Sequence, residues 1–153
     1  MISKPFLTVD PGLSSIRYKG GASMTLHDIR NAVEKACEEH GLNVIVTEDV
    51  ITSGRLFDKS TTECLVVKNA EHQNDYFHEV ITMKSQGIYA FFEFYYTGNS
   101  KNNSRVNAGN KEHSTITGSI IGAIKKATVS NAAMEEETLY YTMLCDAISS
   151  VFN

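Results

Sequence analysis

Three side chains that can bind a metal ion lie close together in a polar stretch of the chain. His72, Asp75 and His78 fall within seven residues, and Glu79 follows them directly. Imidazole and carboxylate groups together are typical ligands of zinc and related metals. The spacing therefore predicts a metal site with Glu79 as the fourth ligand. The competing interpretation is chance clustering in a hydrophilic loop, and we favour it because such short motifs arise often.

A pair of glutamates offers a second kind of chemistry. Residues 78–96 predict a β-hairpin in which Glu79 faces Glu93. Two adjacent carboxyl groups can hold a cation or divide the roles of acid and base. The competing interpretation, which we favour, is two solvated glutamates near a sheet end, where facing like charges are mildly destabilising.

A basic segment predicts a third candidate site. Residues 98–126 carry five basic residues and one acid, whereas the rest of the chain carries nine basic and 17 acidic residues. A helix that begins after Ser114 would present N–H groups that favour phosphate. The candidate anion-binding residues are Lys101, Arg105, Lys111, Ser114 and Thr115. The order of a Walker loop is absent, and we favour a solvated loop as the interpretation.

Nucleophilic catalysis would require a cysteine beside a histidine. Cys64 and Cys145 both fall in apolar stripes, where a thiol is usually inert. No nucleophile-elbow, dinucleotide-binding, zinc-protease or kinase pattern occurs. The three cysteines, with Cys37, are odd in number and widely spaced, which predicts reduced thiols in a cytoplasmic protein. We therefore expect no cofactor and lean against an enzyme.

The hairpin at 78–96 is the clearest element that could position these groups. A two-residue loop, Gln86-Gly87, would pair Val80 with Glu93, and a three-residue loop at 85–87 would pair Val80 with Phe92. We favour the second register because it collects an apolar face. That face consists of Val80, Ile88, Ala90, Phe92 and Phe94.

The opposite face of the predicted hairpin is also apolar. It carries Ile81, Met83, Tyr89, Phe91 and Tyr95. So many apolar side chains are unusual on a surface open to solvent. We therefore predict that this face is an interface, covered by a helix, a partner chain or a ligand.

Other elements follow from periodicity and caps. A helix begins after Thr25, with Asp28 completing a capping box. Strands are expected at 42–50 and 62–68, and further helices at 115–127 and 131–152. Residues 1–24 are expected to be an extended lead, with an extra hairpin of short strands at 6–9 and 13–18 as the alternative. Residues 98–114, which are rich in Asn, Ser and Gly, are expected to be a mobile polar loop.

The chain of 153 residues is 42% hydrophobic and 21% charged, which predicts one domain over residues 1–153. The expected fold is α+β: an N-terminal helix, a four-stranded, mostly antiparallel meander, and two C-terminal helices packed on the sheet. The N-terminus has no signal-peptide pattern, and no apolar run could span a bilayer, so we expect a cytoplasmic protein without membrane contact.

The expected function is a non-enzymatic interaction module that binds a protein partner or a second copy of itself. A net charge of −4 argues against nucleic acid as the principal partner. The alternatives are a small metal-dependent enzyme, and a phosphate-binding or nucleic-acid-binding protein that uses the basic 98–126 segment.

Overall fold

The computed structural model describes residues 1–55, 57–97 and 131–152. The described elements are seven strands and two α-helices, with 3₁₀ turns at Lys4–Phe6 and Gly21–Ser23. The strands are β1 (Ile2–Ser3), β2 (Thr8–Val9), β3 (Ile16–Lys19), β4 (Val44–Arg55), β5 (Asp58–Asn69), β6 (His78–Gln86) and β7 (Tyr89–Thr97). The helices are α1 (Leu26–Glu39) and α2 (Asn131–Val151).

The seven strands form one mixed sheet, so the expected four-stranded meander with two C-terminal helices is wrong. The order is β1-β4-β5-β6-β7-β2, and β3 also pairs with β7. Only β1 runs parallel to its neighbour. The expected extended lead contributes three strands, whose lengths of two to four residues are too short to show a periodic pattern. The loop expected at 98–114 and the helix expected at 115–127 lie outside the described residues.

The sheet is curled, and its N-terminal segment shows why. Five strand spacings separate β1 from β2, which is about 24 Å in a flat sheet. The chain from Ser3 to Thr8 reaches at most about 18 Å, and part of it is a 3₁₀ turn. The two ends of the sheet must therefore bend towards each other. Inside the bend, Ile2 and Leu7 pack on a small buried cluster of Ile51, Cys64, Val66 and Val80.

The helices cover the opposite face of the sheet and form the main core with it. Thr25 caps α1 through the predicted capping box with Asp28, and that prediction is confirmed. The buried sheet residues of this core include Val46, Leu65, Val67, Ile81, Phe92 and Phe94. They pack against Ile29, Val33 and Cys37 of α1 and against Tyr140, Leu144, Ala147 and Ile148 of α2.

The hairpin of β6 and β7 is present, but both expected registers are wrong. Val80 pairs with Tyr95, and Gln86 pairs with Tyr89, so the two-residue loop is Gly87-Ile88. Gly87 has a φ of 61°, which suits the first loop position of a type II′ turn. In this register the alternation places Ile81 and Met83 beside Phe92 and Phe94, under the helices. Val80 belongs to the other face, inside the curl.

Candidate functional site

The two long hairpins of the sheet separate towards their tips. Strands β5 and β6 are antiparallel and pair over four residues each, from Cys64 with Thr82 to Val67 with Glu79. Beyond these pairs, within the described part of the chain, residues 58–63 pair only with β4, and residues 83–86 pair only with β7. The cleft between the two hairpins, called here the hairpin cleft, is therefore bordered by two strand edges.

A groove lies along β6 and β7 next to the hairpin cleft, and all of its lining residues belong to these two strands. It has a volume of about 540 Å³. Its lining residues are Thr82, Lys84, Ser85, Gln86, Phe91 and Glu93. Phe91 is half-buried, and the charged groups of Lys84 and Glu93 are exposed beside it. The groove thus combines one aromatic surface with one cation and one anion.

Apolar side chains are also exposed at both hairpin tips. Phe57, in the turn between β4 and β5, is 100% exposed. Ile88, in the turn between β6 and β7, is 54% exposed. The two tips flank the hairpin cleft, so exposed apolar side chains lie at both of its outer ends.

The predicted interface residues divide between the two faces of the hairpin. Ile81 is fully buried under the helices, and Met83 packs against the same core. The ring centroids of Tyr89 and Phe91 are 6.2 Å apart, and the Arg17 guanidinium lies 5.5 Å from the centre of the Tyr89 ring. Tyr95 packs against the small cluster, and its hydroxyl donates to Glu93 at 2.9 Å.

The four predicted metal ligands do not come together. His72 Nδ1 lies 3.0 Å from an Asp75 carboxylate oxygen, and the His72 ring stacks on Tyr76 at 4.1 Å. His78 Nε2 contacts the Gln73 carbonyl at 2.5 Å, and burial lowers the pKa of His78. Glu79, its neighbour on β6, points to the opposite face of the sheet. Among the described residues, no group of three or more potential ligands could hold a metal ion.

The predicted facing pair of Glu79 and Glu93 is not formed. Glu79 pairs with Tyr96, and Glu93 pairs with Thr82. The two carboxyl groups therefore lie on opposite faces, with Glu79 buried and Glu93 exposed. The predicted anion-binding residues Lys101, Arg105, Lys111, Ser114 and Thr115 lie outside the described residues.

A buried pocket of acids and tyrosines lies on the helix-covered face, and the sequence analysis missed it. This acidic pocket is a small cavity of about 10 Å³, which is enough for about one water molecule. Its lining residues are Tyr76, Phe77, Glu79, Tyr96, Glu137, Tyr140, Tyr141 and Leu144. Glu79 is 3% exposed and Glu137 is 5% exposed.

Asp10 joins the N-terminal turn to this pocket. Its Oδ1 accepts hydrogen bonds from the Gly12 backbone N–H at 2.7 Å and from the Tyr141 hydroxyl at 2.6 Å. A Cβ atom on Gly12 would lie 2.5 Å from the Tyr141 hydroxyl and 3.2 Å from Cys145 Sγ. A side chain at position 12 would therefore force the Tyr141 hydroxyl, and with it the hydrogen bond to Asp10, to shift.

The carboxyl groups of Asp10 and Glu79 are in direct contact. Burial and the neighbouring Asp10 raise the pKa of Glu79 well above its usual value. Asp10 Oδ2 and Glu79 Oε1 are both buried and have no donor among the described residues. A proton held by Glu79 removes this conflict, since a carboxylic acid can donate to a neighbouring carboxylate.

The remaining groups near Asp10 are held in their neutral forms. Burial, followed by the charge of Asp10, raises the pKa of the Cys145 thiol to about 12. Burial and Asp10 also raise the pKa of Tyr141. Elsewhere, burial raises the pKa values of Cys37 and Cys64 to about 11. All three cysteines are free thiols, and their raised pKa values disfavour the reactive thiolate.

One signal in the sequence could have revealed the acidic pocket. Glu137 precedes Tyr140, Tyr141 and Leu144 by three, four and seven residues, which places it on the buried stripe of α2. Taken by themselves, the glutamates at 135–137 suggest only a favourable charge at a helix start. A carboxyl group in register with a core stripe instead indicates a buried acid.

Comparisons of the chain with protein-family models, with curated proteins and with solved structures find no match. Within the described ranges, no helix has the length and apolar character that crossing a membrane requires.

Proposed function

We propose that the chain is a protein-binding module whose partner docks as an extended strand in the hairpin cleft. The observation that carries this proposal is the separation of β5 and β6 beyond Cys64 and Thr82. Strand edges present rows of backbone N–H and C=O groups, and an extended segment can pair with them. Residues 83–86 supply such an edge on β6.

The side chains around the cleft support the same function. Phe91 offers an aromatic surface in the groove, and Ile88 and Phe57 offer exposed apolar contacts at the tips. Aromatic residues are enriched where interfaces gain most of their binding energy. Lys84 and Glu93 place opposite charges on the groove, which favours one orientation of a partner segment that carries both signs.

The chemistry of the partner follows from this surface. It is an extended protein segment with apolar side chains at alternate positions, because alternate residues of a strand point to the same side. One set of side chains contacts Phe91, while the backbone pairs with the edge at 83–86. The competing occupant is a second copy of the chain. The molar mass of the protein in solution distinguishes the two, because a second copy would double it.

A selection from random linear peptides tests the proposal and requires no named partner. The full chain is immobilised, and bound peptides are sequenced and cross-linked to a photoreactive residue placed at Ser85, which is exposed on the β6 edge. We expect selected peptides with alternating apolar residues that cross-link at position 85. The same photoreactive residue at Lys35, which is exposed on α1, serves as the control position.

Two substitutions distinguish binding in the groove from nonspecific binding to exposed apolar residues. Phe91→Ala should weaken binding of the selected peptides at least tenfold, or about 1.4 kcal/mol. Phe6→Ala removes a phenylalanine that is 54% exposed elsewhere and should leave binding unchanged. Equal loss in both variants, or cross-links at position 35 alone, would rule out the groove. A dimeric mass in light scattering, lost in Phe91→Ala, would assign the cleft to self-association.

A further inference from the structure

The acidic pocket has walls that suit a small cation. Tyr76 and Tyr140 have ring centroids 5.4 Å apart, and those of Phe77 and Tyr96 are 5.9 Å apart. Aromatic rings attract cations through their negative faces. Glu79 and Glu137 add two carboxyl groups, and no lysine or arginine is among the described residues that line the cavity.

Unpaired polar atoms in the pocket point to an occupant. Glu79 is 3% exposed and Tyr140 is 8% exposed. Within the described chain, Glu79 Oε1 and the Tyr140 hydroxyl have no hydrogen-bond partner. A buried polar atom without a partner is costly, so such atoms normally contact water or an ion. Even when Glu79 holds a proton towards Asp10, its carboxyl group retains lone pairs that can accept from a bound donor.

We infer that the acidic pocket binds a primary ammonium group, with Glu79 and Tyr140 accepting its N–H donors and the tyrosine rings surrounding it. An ammonium group has three or four donors and no acceptor, which matches a site that offers acceptor oxygens. When the site fills, Glu79 releases its proton to solvent, and the positive charge of the ammonium group replaces that proton beside the Asp10 and Glu79 carboxylates.

The size of the cavity sets the specificity. Its volume of about 10 Å³ admits one water-sized group. An unsubstituted or singly substituted ammonium nitrogen fits this space, whereas a quaternary ammonium group does not. The pocket and the hairpin cleft lie on opposite faces of the sheet, so the ammonium site and the proposed function can fail independently.

Thermal unfolding in matched salts tests the site. The full chain is followed by circular dichroism in about 100 mM sodium, ammonium, methylammonium, n-butylammonium or tetramethylammonium chloride. We expect ammonium and methylammonium to raise the Tm by about 3 °C over sodium, and tetramethylammonium to match sodium. An n-butylammonium effect as large as that of ammonium would show that the site admits an alkylamine of the kind that a lysine side chain carries, and an effect of ammonium and methylammonium alone would restrict the ligand to a small amine.

Variants link the effect to the pocket. Glu79→Gln and Tyr140→Phe keep the side-chain shapes and should reduce the ammonium effect to less than about 1 °C. Glu63→Gln changes an exposed glutamate on β5 and should retain the full effect. A bound ¹⁵N-ammonium ion should also give a slowly exchanging NMR signal in the unmodified protein. Equal Tm values in all five salts, without such a signal, would show that the pocket holds only water.

Discussion

The two faces of the β6–β7 hairpin differ more than their similar composition suggests. Phe92 and Phe91 are neighbours of the same residue type, yet Phe92 is fully buried under the helices and Phe91 lies half-buried in an open groove. The helix-covered face is closed and includes the acidic pocket. Among the described residues, the face inside the curl is covered near Val80, where Ile2 and Leu7 of the N-terminal segment pack on it. What covers a face therefore determines its role, and composition alone does not.

The largest expected effect is the stability difference between the two phenylalanines. Phe92→Ala should lower the free energy of unfolding by about 3–5 kcal/mol, because it opens a cavity in a packed core. Phe91→Ala should cost less than about 1.5 kcal/mol, since its side chain faces a groove that is already open. Urea unfolding of both variants gives the two values. Equal costs would contradict the register that places these residues on different faces.

The next effect concerns the link between the N-terminal turn and α2. Tyr141→Phe removes the hydroxyl that donates to Asp10 across the fold, and it should cost about 1.5–3 kcal/mol. Tyr140→Phe removes a hydroxyl without a partner among the described residues, so it should cost less than about 0.5 kcal/mol. The two adjacent tyrosines form a matched pair for chemical denaturation. A larger cost at position 140 would place the important hydrogen bond elsewhere.

The third prediction concerns pH. The pKa of Glu79 in the folded chain is raised above its usual value of 4.5, so the group's contribution to stability is fully present below pH 4.5. As pH rises towards the folded pKa, the unfolded chain releases a proton that the folded chain retains. The free energy of unfolding then falls by about 1.4 kcal/mol per pH unit. Glu79→Gln, which cannot lose a proton, should remove this fall.

Urea unfolding between pH 5 and pH 8 checks the prediction as a difference between wild type and variant. The lowered pKa of His78 contributes the opposite slope near pH 6, but it does so in both proteins and cancels. The exposed Glu63→Gln variant should follow the wild-type curve. Parallel curves for wild type and Glu79→Gln would show that Glu79 carries no proton in the folded protein.

The smallest effect lies on the open face. Tyr95→Phe removes a hydroxyl that donates to the exposed Glu93, and it should cost less than about 0.5 kcal/mol. Solvent replaces that hydrogen bond, unlike the one from Tyr141. If the cost approached that of Tyr141→Phe, the inner face would be less open than the groove indicates.

The sequence predicted local structure better than long-range structure. The capping box of α1 and the hairpin around Gly87 follow from neighbouring residues, and both are present. The predicted four-stranded sheet was wrong because it left out β1, β2 and β3, which are too short to show a periodic pattern. The hairpin of β4 and β5 was missed in part, since the serines, threonines and glycine at 52–61 suggested a loop. Its twelve-residue strands depend on pairing between segments, which propensity does not encode.

The candidate sites could be predicted only in part for the same reason. Glu79 was identified as a residue capable of chemistry, but the favoured register was wrong by three positions: it paired Val80 with Phe92, whereas Val80 pairs with Tyr95. The wrong register put Val80 and Phe92 on one face. A change of register by an odd number exchanges the faces. The pocket also needs Asp10 and Tyr141, which are 131 residues apart, and no local pattern connects them. Glu137 alone carried a readable signal, through its place on the apolar stripe of α2.

The most direct test of the hairpin cleft is NMR mapping of a peptide obtained from the random selection. The protein is labelled with ¹⁵N, and backbone amide shifts are followed as the peptide is added. We expect the largest changes at residues 82–86, 91 and 93, with little change along α1. Changes concentrated on α1 or on the Asp10 turn, with the 83–86 edge unaffected, would contradict the assignment of the cleft as the binding surface.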